Sequence, residues 1–217
     1  AKTEEDSEST FKPQRRLKAA RAFVEIFRFL PAMVSAWLDL IIVYVLTVIY
    51  MSHGMGASGV VAAFAWSGVV LTVASTVACL VPVLVKWALM GRFRASERPL
   101  FSSFVWRNEL TDIFAESLAV PSMIRLSVGS PMFNVWARLM GSKIGRSVWC
   151  ETWWLPEFDL VHLEDNVSVN RGTVLQTHLF HDRIMRMEPV TMRRGSTLGP
   201  NSFVLPGATI EERTTVA

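Results

Sequence analysis

The sequence predicts a membrane α-helical hairpin, joined through amphipathic connecting helices to an all-β left-handed parallel β-helix of the hexapeptide-repeat kind. Three observations predict it: two long apolar runs around a short uncharged turn, basic residues on the outer flanks of those runs, and an aliphatic residue at every sixth position near the C-terminus. Apolar residues form 51% of the 217, more than a globular chain needs, and the excess gathers between Pro31 and Val85.

The first run, Pro31 to Met51, holds a single ionisable residue, Asp39. At about 1.5 Å of rise per residue it spans a hydrocarbon core of about 30 Å. The second, Gly59 to Val85, has no charge and is long enough to cross with tilt. Backbone polar groups in lipid must be satisfied within the segment, so both runs are expected to be helices, at about 31–51 and 59–85. Arg15, Arg16, Lys18, Arg21 and Arg28 precede the first, Lys86, Arg92, Arg94 and Arg98 follow the second, and the turn Ser52 to Ser58 has no Lys or Arg. The positive-inside rule then places both ends in the cytoplasm, at the plasma (inner) membrane of a multi-pass protein. Trp37, Tyr50 and Trp87 fall near the ends, where amphipathic rings favour the interface. Asp39 marks either a substrate path or a position near the interface. Small residues from Gly59 to Ala78 suit close packing against further helices.

Residues 1–20 are charged and Ser/Glu-rich at their start and are expected to be a disordered segment or linker; residues 21–90 form the hairpin unit. Residues 91–142 change to amphipathic segments. Phe101, Phe104, Val105, Leu110, Ile113, Phe114 and Leu118 recur at helical steps, with Arg107, Glu109, Asp112 and Glu116 between them. Arg107, Asn108 and Glu109 are read as a solvated face, with a functional role as the alternative. Pro121 is expected to interrupt this helix, and a second helix, Pro131 to Met140, should stop at Gly141.

Residues 143–217 carry the repeat. Met192, Leu198, Val204, Ile210 and Val216 keep a six-residue period, with small Ser196, Ser202, Ala208 and Thr214 four positions on from the aliphatic before them. Leu163, Val169 and Leu175 keep the phase earlier, with Val167 and Thr173 at the small positions, and Ile144 with Gly145 opens the series. In such a coil the aliphatic side chain fills the interior and the small one the corner. The period breaks between Gln176 and Val190, an excursion expected to project as a loop on the functional face.

The two cysteines, Cys79 and Cys150, have no metal-ligand or redox spacing and read as structural, unpaired residues. His178, His181 and Asp182 form an H-x-x-H-D run without a third-strand ligand, so no metal is expected. A net charge of +3 with no aromatic-interleaved basic run gives no support for a nucleic-acid partner. No cleavable signal peptide precedes the first apolar run, and a start without Met and an end within a repeat suggest a piece of a longer protein.

Thr177 and His178, followed by a loop and then Val190, Thr191 and Met192, resemble the hexapeptide-repeat acyltransferases of the maltose and galactoside acetyltransferase kind. That resemblance implies a general-base role for His178, which leaves the coil just before the extended loop; Asn170 is a loose counterpart of the family's acceptor-holding asparagine. A longer resemblance runs over almost the whole chain. The stretches Trp87 to Arg94, Ser102 to Leu110, Val148 to Thr152 and Gln176 to Arg183 look like the C-terminal region of the poly-ε-lysine synthetase family of membrane-bound, single-module non-ribosomal peptide synthetases. It implies upstream adenylation and carrier domains, tandem acyltransferase-like sister domains, a carrier phosphopantetheine thioester as donor, and an amino acid or oligo-amino acid as acceptor. No cofactor is expected on this piece itself.

A Lys ammonium, with a pKa of about 10.4, is neutral in only about one part in a few thousand at pH 7. Amide formation therefore calls for a base such as His178, with His181 or Asp182 orienting the imidazole or holding the acceptor. Glu151, Gln176 and Trp153 are further candidates for substrate binding. Glu151, Glu157 and Asp159 either attract a cationic acceptor or form a solvated rim. Trp149, Trp153 and Trp154 either stack on a substrate cation or plug the end of the coil. The alternatives to aminoacyl transfer are a coenzyme A-dependent membrane acetyltransferase and a non-catalytic scaffolding copy.

Overall fold

The computed structural model describes residues 15–216 of the chain. Most of the expected N-terminal linker, residues 1–14, lies outside the described residues, and from Arg15 the chain is already helical. Helix α1 (Arg15–Glu25) passes through a single tight turn of helix, Ile26–Phe29, into α2 (Leu30–Ser52). Pro31 stands in the first turn of α2, where its missing N–H breaks no bond. After a four-residue turn comes α3 (Ala57–Leu89). Both long helical runs are long and apolar enough to cross a membrane. Their outward residues, such as Tyr44, Phe64 and Leu84, are exposed on the protein itself. The turn is tight: a Cβ on Gly59 would lie 2.5 Å from the carbonyl oxygens of both Tyr50 and Gly54, so only glycine allows this approach. Hydroxyls on the helices bond back to their own backbone, Thr47 to Val43, Thr72 to Gly68 and Thr76 to Thr72, which satisfies these three within the helix.

The two ends of the helix pair meet on one side. Arg21 and Arg28 of the N-terminal segment both reach Glu109, on the helix that follows α3. That helix is α4 (Ser103–Phe114), started by Ser102, whose hydroxyl accepts the Val105 N–H. It does not stop at Pro121. It widens into a π-helical segment, Ala115–Ile124, that carries Pro121 within it, and then makes a last turn over Arg125–Ser127. The wider turn removes the clash between the proline ring and the preceding carbonyl, which in an α-helix would break the run. Helix α5 (Pro131–Met140) ends at Gly141 in the left-handed conformation, φ 119°.

The lower part of α3 is buried. Ala78, Cys79, Pro82, Val83 and Lys86 pack inside the protein, and the Trp136 indole of α5 donates to the Cys79 carbonyl at 3.0 Å.

The C-terminal region is rich in short parallel strands arranged in three ladders. The first stacks β2 (Lys143–Ile144), β4 (Val161–Leu163), β9 (Val190–Met192) and β12 (Thr209–Ile210). The second stacks β3 (Trp149–Cys150), β5 (Ser168–Val169), β10 (Thr197–Leu198) and β13 (Thr215–Val216), and the third pairs β6 (Val174–Leu175) with β11 (Phe203–Val204). The chain visits the ladders in cyclic order. The hexad residues stand in register: Ile144, Leu163, Met192 and Ile210 in one column, Cys150, Val169, Leu198 and Val216 in the next, Leu175 and Val204 in the third. All of these but Val216 are buried, as are Val167, Thr173 and Ser196 at small-residue positions.

Two departures from regular cycling matter. In the first circuit no strand enters the third ladder; residues 151–160 run there instead and end in a short turn of helix, Phe158–Leu160. The excursion after Gln176 is not a free loop. It is an antiparallel hairpin, β7 (His178–His181) and β8 (Ile184–Met187), whose second strand also pairs with β1 (Ser96–Pro99) from just beyond α3. Asp182 and Arg183 turn the hairpin with φ of 49° and 58°. Met185 and Met187 are buried against Phe93, Val105 and Leu160, which docks the hairpin onto the connecting segment.

Candidate active site

His178 is the first residue of the hairpin, at the point where the regular circuit is left. Its Nδ1 lies 2.8 Å from Glu157 Oε2. The imidazole is largely covered, with 17% of its side chain exposed, while the Glu157 side chain is fully buried. A carboxylate has no hydrogen to give, so Nδ1 donates in this contact, and in the neutral ring Nε2 keeps its lone pair. Phe180 stands edge-on to the ring at 5.5 Å between centroids. The backbone carbonyl of His178 accepts the Gln176 side-chain amide at 2.8 Å.

Glu157 collects three donors from two parts of the chain. Its Oε2 takes His178 and the Thr177 hydroxyl, at 2.8 and 2.6 Å, and its Oε1 takes the Asn108 amide of α4 at 2.9 Å. The Thr177 hydroxyl is also 2.6 Å from the Pro156 carbonyl, and its one hydrogen serves one acceptor at a time. Glu157 itself adopts a left-handed backbone, φ 40°, uncommon for a residue with a side chain. Two residues on, Asp159 is buried and forms an ion pair with Lys86 of α3 at 2.6 Å.

These contacts correct three expectations. Glu157 and Asp159 are not a solvated rim; both are buried and bonded. Asn108 is buried on Glu157 and so does not belong to a solvated face, while Arg107 stays exposed with its guanidinium on the Leu89 carbonyl at 2.8 Å, and Glu109 is part-exposed and receives Arg21 and Arg28. His181 and Asp182 do not orient the imidazole. They pair with each other at 3.3 Å in the exposed hairpin turn, with 89% and 65% of their side chains exposed. His181 stands three residues on from His178, on the opposite face of β7, and Asp182 lies beyond the strand in the hairpin turn.

The remaining candidates fall elsewhere. Asn170 donates to the Leu198 carbonyl at 2.8 Å, tying successive circuits together. Glu151 accepts the Arg171 backbone N–H at 3.2 Å and lines a surface cleft with Arg125, Trp153 and Arg171. Trp153 also lines a second, narrow cleft with Asp112, Glu116, Trp136 and Trp154. Burial pushes the Asp112 carboxyl well above the usual range, and Glu157, Glu116 and Glu109 nearby push it further. Trp149 is half-exposed, and its ring covers Gly129. Cys79 and Cys150 are buried, unpaired thiols, and burial pushes Cys150 up to about 12. Among the described residues, no group of three His, Cys, Asp or Glu side chains gathers in a metal-ligating cluster.

Sequence reasoning named His178 but assigned it the wrong partners. One signal for Glu157 was in reach: it stands where the first circuit lacks a third strand, opposite the residue that leaves the circuit one turn later.

No family model matches the chain, and no solved structure does. The chain is 31% identical over 202 residues, 93% of its length, to Delta-poly-L-ornithine synthetase of Acinetobacter baumannii (strain AB307-0294). It spans 15% of that relative's own length. The chain is thus similar, over most of its length, to one segment of a poly-amino-acid synthetase.

Proposed function

We propose that this chain is the amide-forming, aminoacyl-transfer part of a membrane-bound, single-module non-ribosomal peptide synthetase. The reading rests first on the similarity to a segment of a synthetase of poly-L-ornithine. The observation that carries the chemistry is the His178–Glu157 pair at 2.8 Å, which leaves Nε2 free to take a proton. In this reading the cyclic ladders form a left-handed hexapeptide-repeat β-helix over 143–217, the connecting helices cover 91–142, and the helix pair within 21–90 spans the plasma (inner) membrane with both ends cytoplasmic. The meeting of Arg21 and Arg28 with Glu109 on one side of the helix pair supports the hairpin.

The acceptor amine attacks the carbonyl of an aminoacyl thioester held on a carrier phosphopantetheine. His178 Nε2 takes the amine proton as the C–N bond forms, and Glu157 faces the imidazolium that results. As the C–S bond breaks, the same proton passes to the departing thiolate. Upstream carrier and adenylation domains and tandem sister domains of the same polypeptide supply the donor.

The test uses the intact synthetase in detergent, with its carrier charged, comparing wild type with His178→Ala and His178→Gln. A drop of several hundredfold in amide formation at unchanged loading supports the assignment. Unchanged rates make this copy a scaffold, and turnover with acetyl-coenzyme A alone makes it an acetyltransferase.

A further inference from the structure

The residues that fix Glu157 do not all belong to the sheet-rich region, and one tether comes from the apolar helix pair. Asp159, in the same short turn as Glu157, receives Lys86 Nζ at 2.6 Å and the Phe93 backbone N–H at 3.1 Å, both on Oδ2. Its backbone carbonyl lies 3.2 Å from His162 Nε2. Lys86 is wholly buried, and its ammonium stands 3.6 Å from the centre of the Trp87 ring. Trp87 in turn donates its indole N–H to Leu139 at 2.8 Å. On the far side Gly141, at φ 119°, leaves no room: a Cβ there would stand 2.6 Å from Asp159 Oδ1.

A buried ion pair adds little net stability, because desolvation offsets most of its attraction, but its geometry is strongly specified. That geometry is needed here. Glu157 holds a left-handed backbone, φ 40°, which persists in a residue with a side chain only where the surroundings over-determine it. The turn is closed by the Leu160 N–H on the Glu157 carbonyl at 2.8 Å, so movement of Asp159 is movement of Glu157.

We propose that the end of α3 is a positioning element of the His178 site, acting through the Lys86–Asp159 ion pair. This rests on the reading of His178 as the base, and it makes that base dependent on how α3 docks against the sheet-rich region. Release of the pair lets Glu157 relax out of its left-handed conformation, and His178 loses the acceptor that keeps its proton on Nδ1.

The experiment places the protein in lipid nanodiscs with 15N-labelled histidine and reads the ring nitrogens by NMR, His178 being assigned from its loss in His178→Gln. Amide formation is followed with lysyl and ornithyl N-acetylcysteamine thioesters. In the double variant Lys86→Met/Asp159→Asn both charges go and bulk is nearly kept. The expected result is a His178 signal that leaves the Nδ1–H form, a kcat at least tenfold lower and an unchanged KM, with Lys86→Arg restoring both signal and rate. A double variant with the wild-type tautomer and rate overturns the proposal. If that variant does not elute as folded protein, Gly141→Ala, which displaces Asp159 without removing a charge, is read in its place against the same two outcomes. Should His178→Gln form amide at the wild-type rate, the base assignment falls, and the tautomer signal still decides whether Lys86 and Asp159 position Glu157.

Discussion

Replacing Glu157 by glutamine removes one charge and almost no volume from the centre of the site. In the wild type the carboxylate lies 2.8 Å from His178 Nδ1 and is fully buried, so it faces the imidazolium that forms as the amine loses its proton. Two unit charges about 4 Å apart attract by about 4 kcal/mol at an effective dielectric of about 20. Losing that from the transition state corresponds to about 10³-fold in rate, since about 1.4 kcal/mol is tenfold. A second effect acts in the same direction. If the new amide turns its NH2 toward His178, Nδ1 must accept, the ring proton moves to Nε2, and the base is lost. The opposite amide orientation places the NH2 against Asn108, whose Oδ1 has no partner in the wild type and accepts it once the Asn108 amide turns. Glu157→Gln is therefore expected to fold, to load its carrier normally and to lose about 10³-fold in kcat for amide formation. The assay is single-turnover transfer from charged carrier to a free amino-acid amide. A loss of less than threefold would show that the charge opposite His178 contributes nothing to the rate, and the dyad reading would be refuted.

Leu198 is fully buried, in register between Val169 and Val216; Leu198→Ala should destabilise the sheet-rich region by about 2–5 kcal/mol, read as a fall in thermal midpoint in detergent while the apolar helices keep their circular dichroism. The raised Asp112 carboxyl gives a signed prediction: a group that holds its proton more tightly when folded favours the fold at low pH and disfavours it as pH rises through its folded value. Asp112→Asn should raise the melting temperature at pH 7 and flatten its decline above the ordinary carboxylate range; an unchanged pH dependence refutes the assignment. Cys150, fully buried and pushed up to about 12, should resist maleimide at pH 8 in the folded protein and react on denaturation.

Local periodicity made much of this chain legible in advance. Two apolar stretches of spanning length must satisfy their backbone internally, and that requirement is written in composition alone. The six-residue period is equally local, because residues six apart must share one column if each ladder step is to bury its aliphatic side chain, and Ile144, Leu163, Met192 and Ile210 do. Gly141 ends a helix for a reason that lies in its own backbone. Pro121 is the counter-example: it reads as a breaker, yet the strong packing of its segment against α3 holds a wider helical turn around it.

The site was legible only in its histidine. Glu157 and Asp159 sit in a short acidic stretch that, as a string, reads as solvated. They are buried because three partners distant in sequence reach them: Asn108, 49 residues from Glu157, His178, 21 residues from it, and Lys86, 73 residues from Asp159. No pattern of neighbouring residues records such meetings. The sequence by itself determined which segments are apolar helices and which residues repeat through the ladders, because those depend on interactions a few residues apart. Tertiary structure alone decided which carboxylate faces the imidazole, since burying a charge is tolerable only where distant donors converge on it.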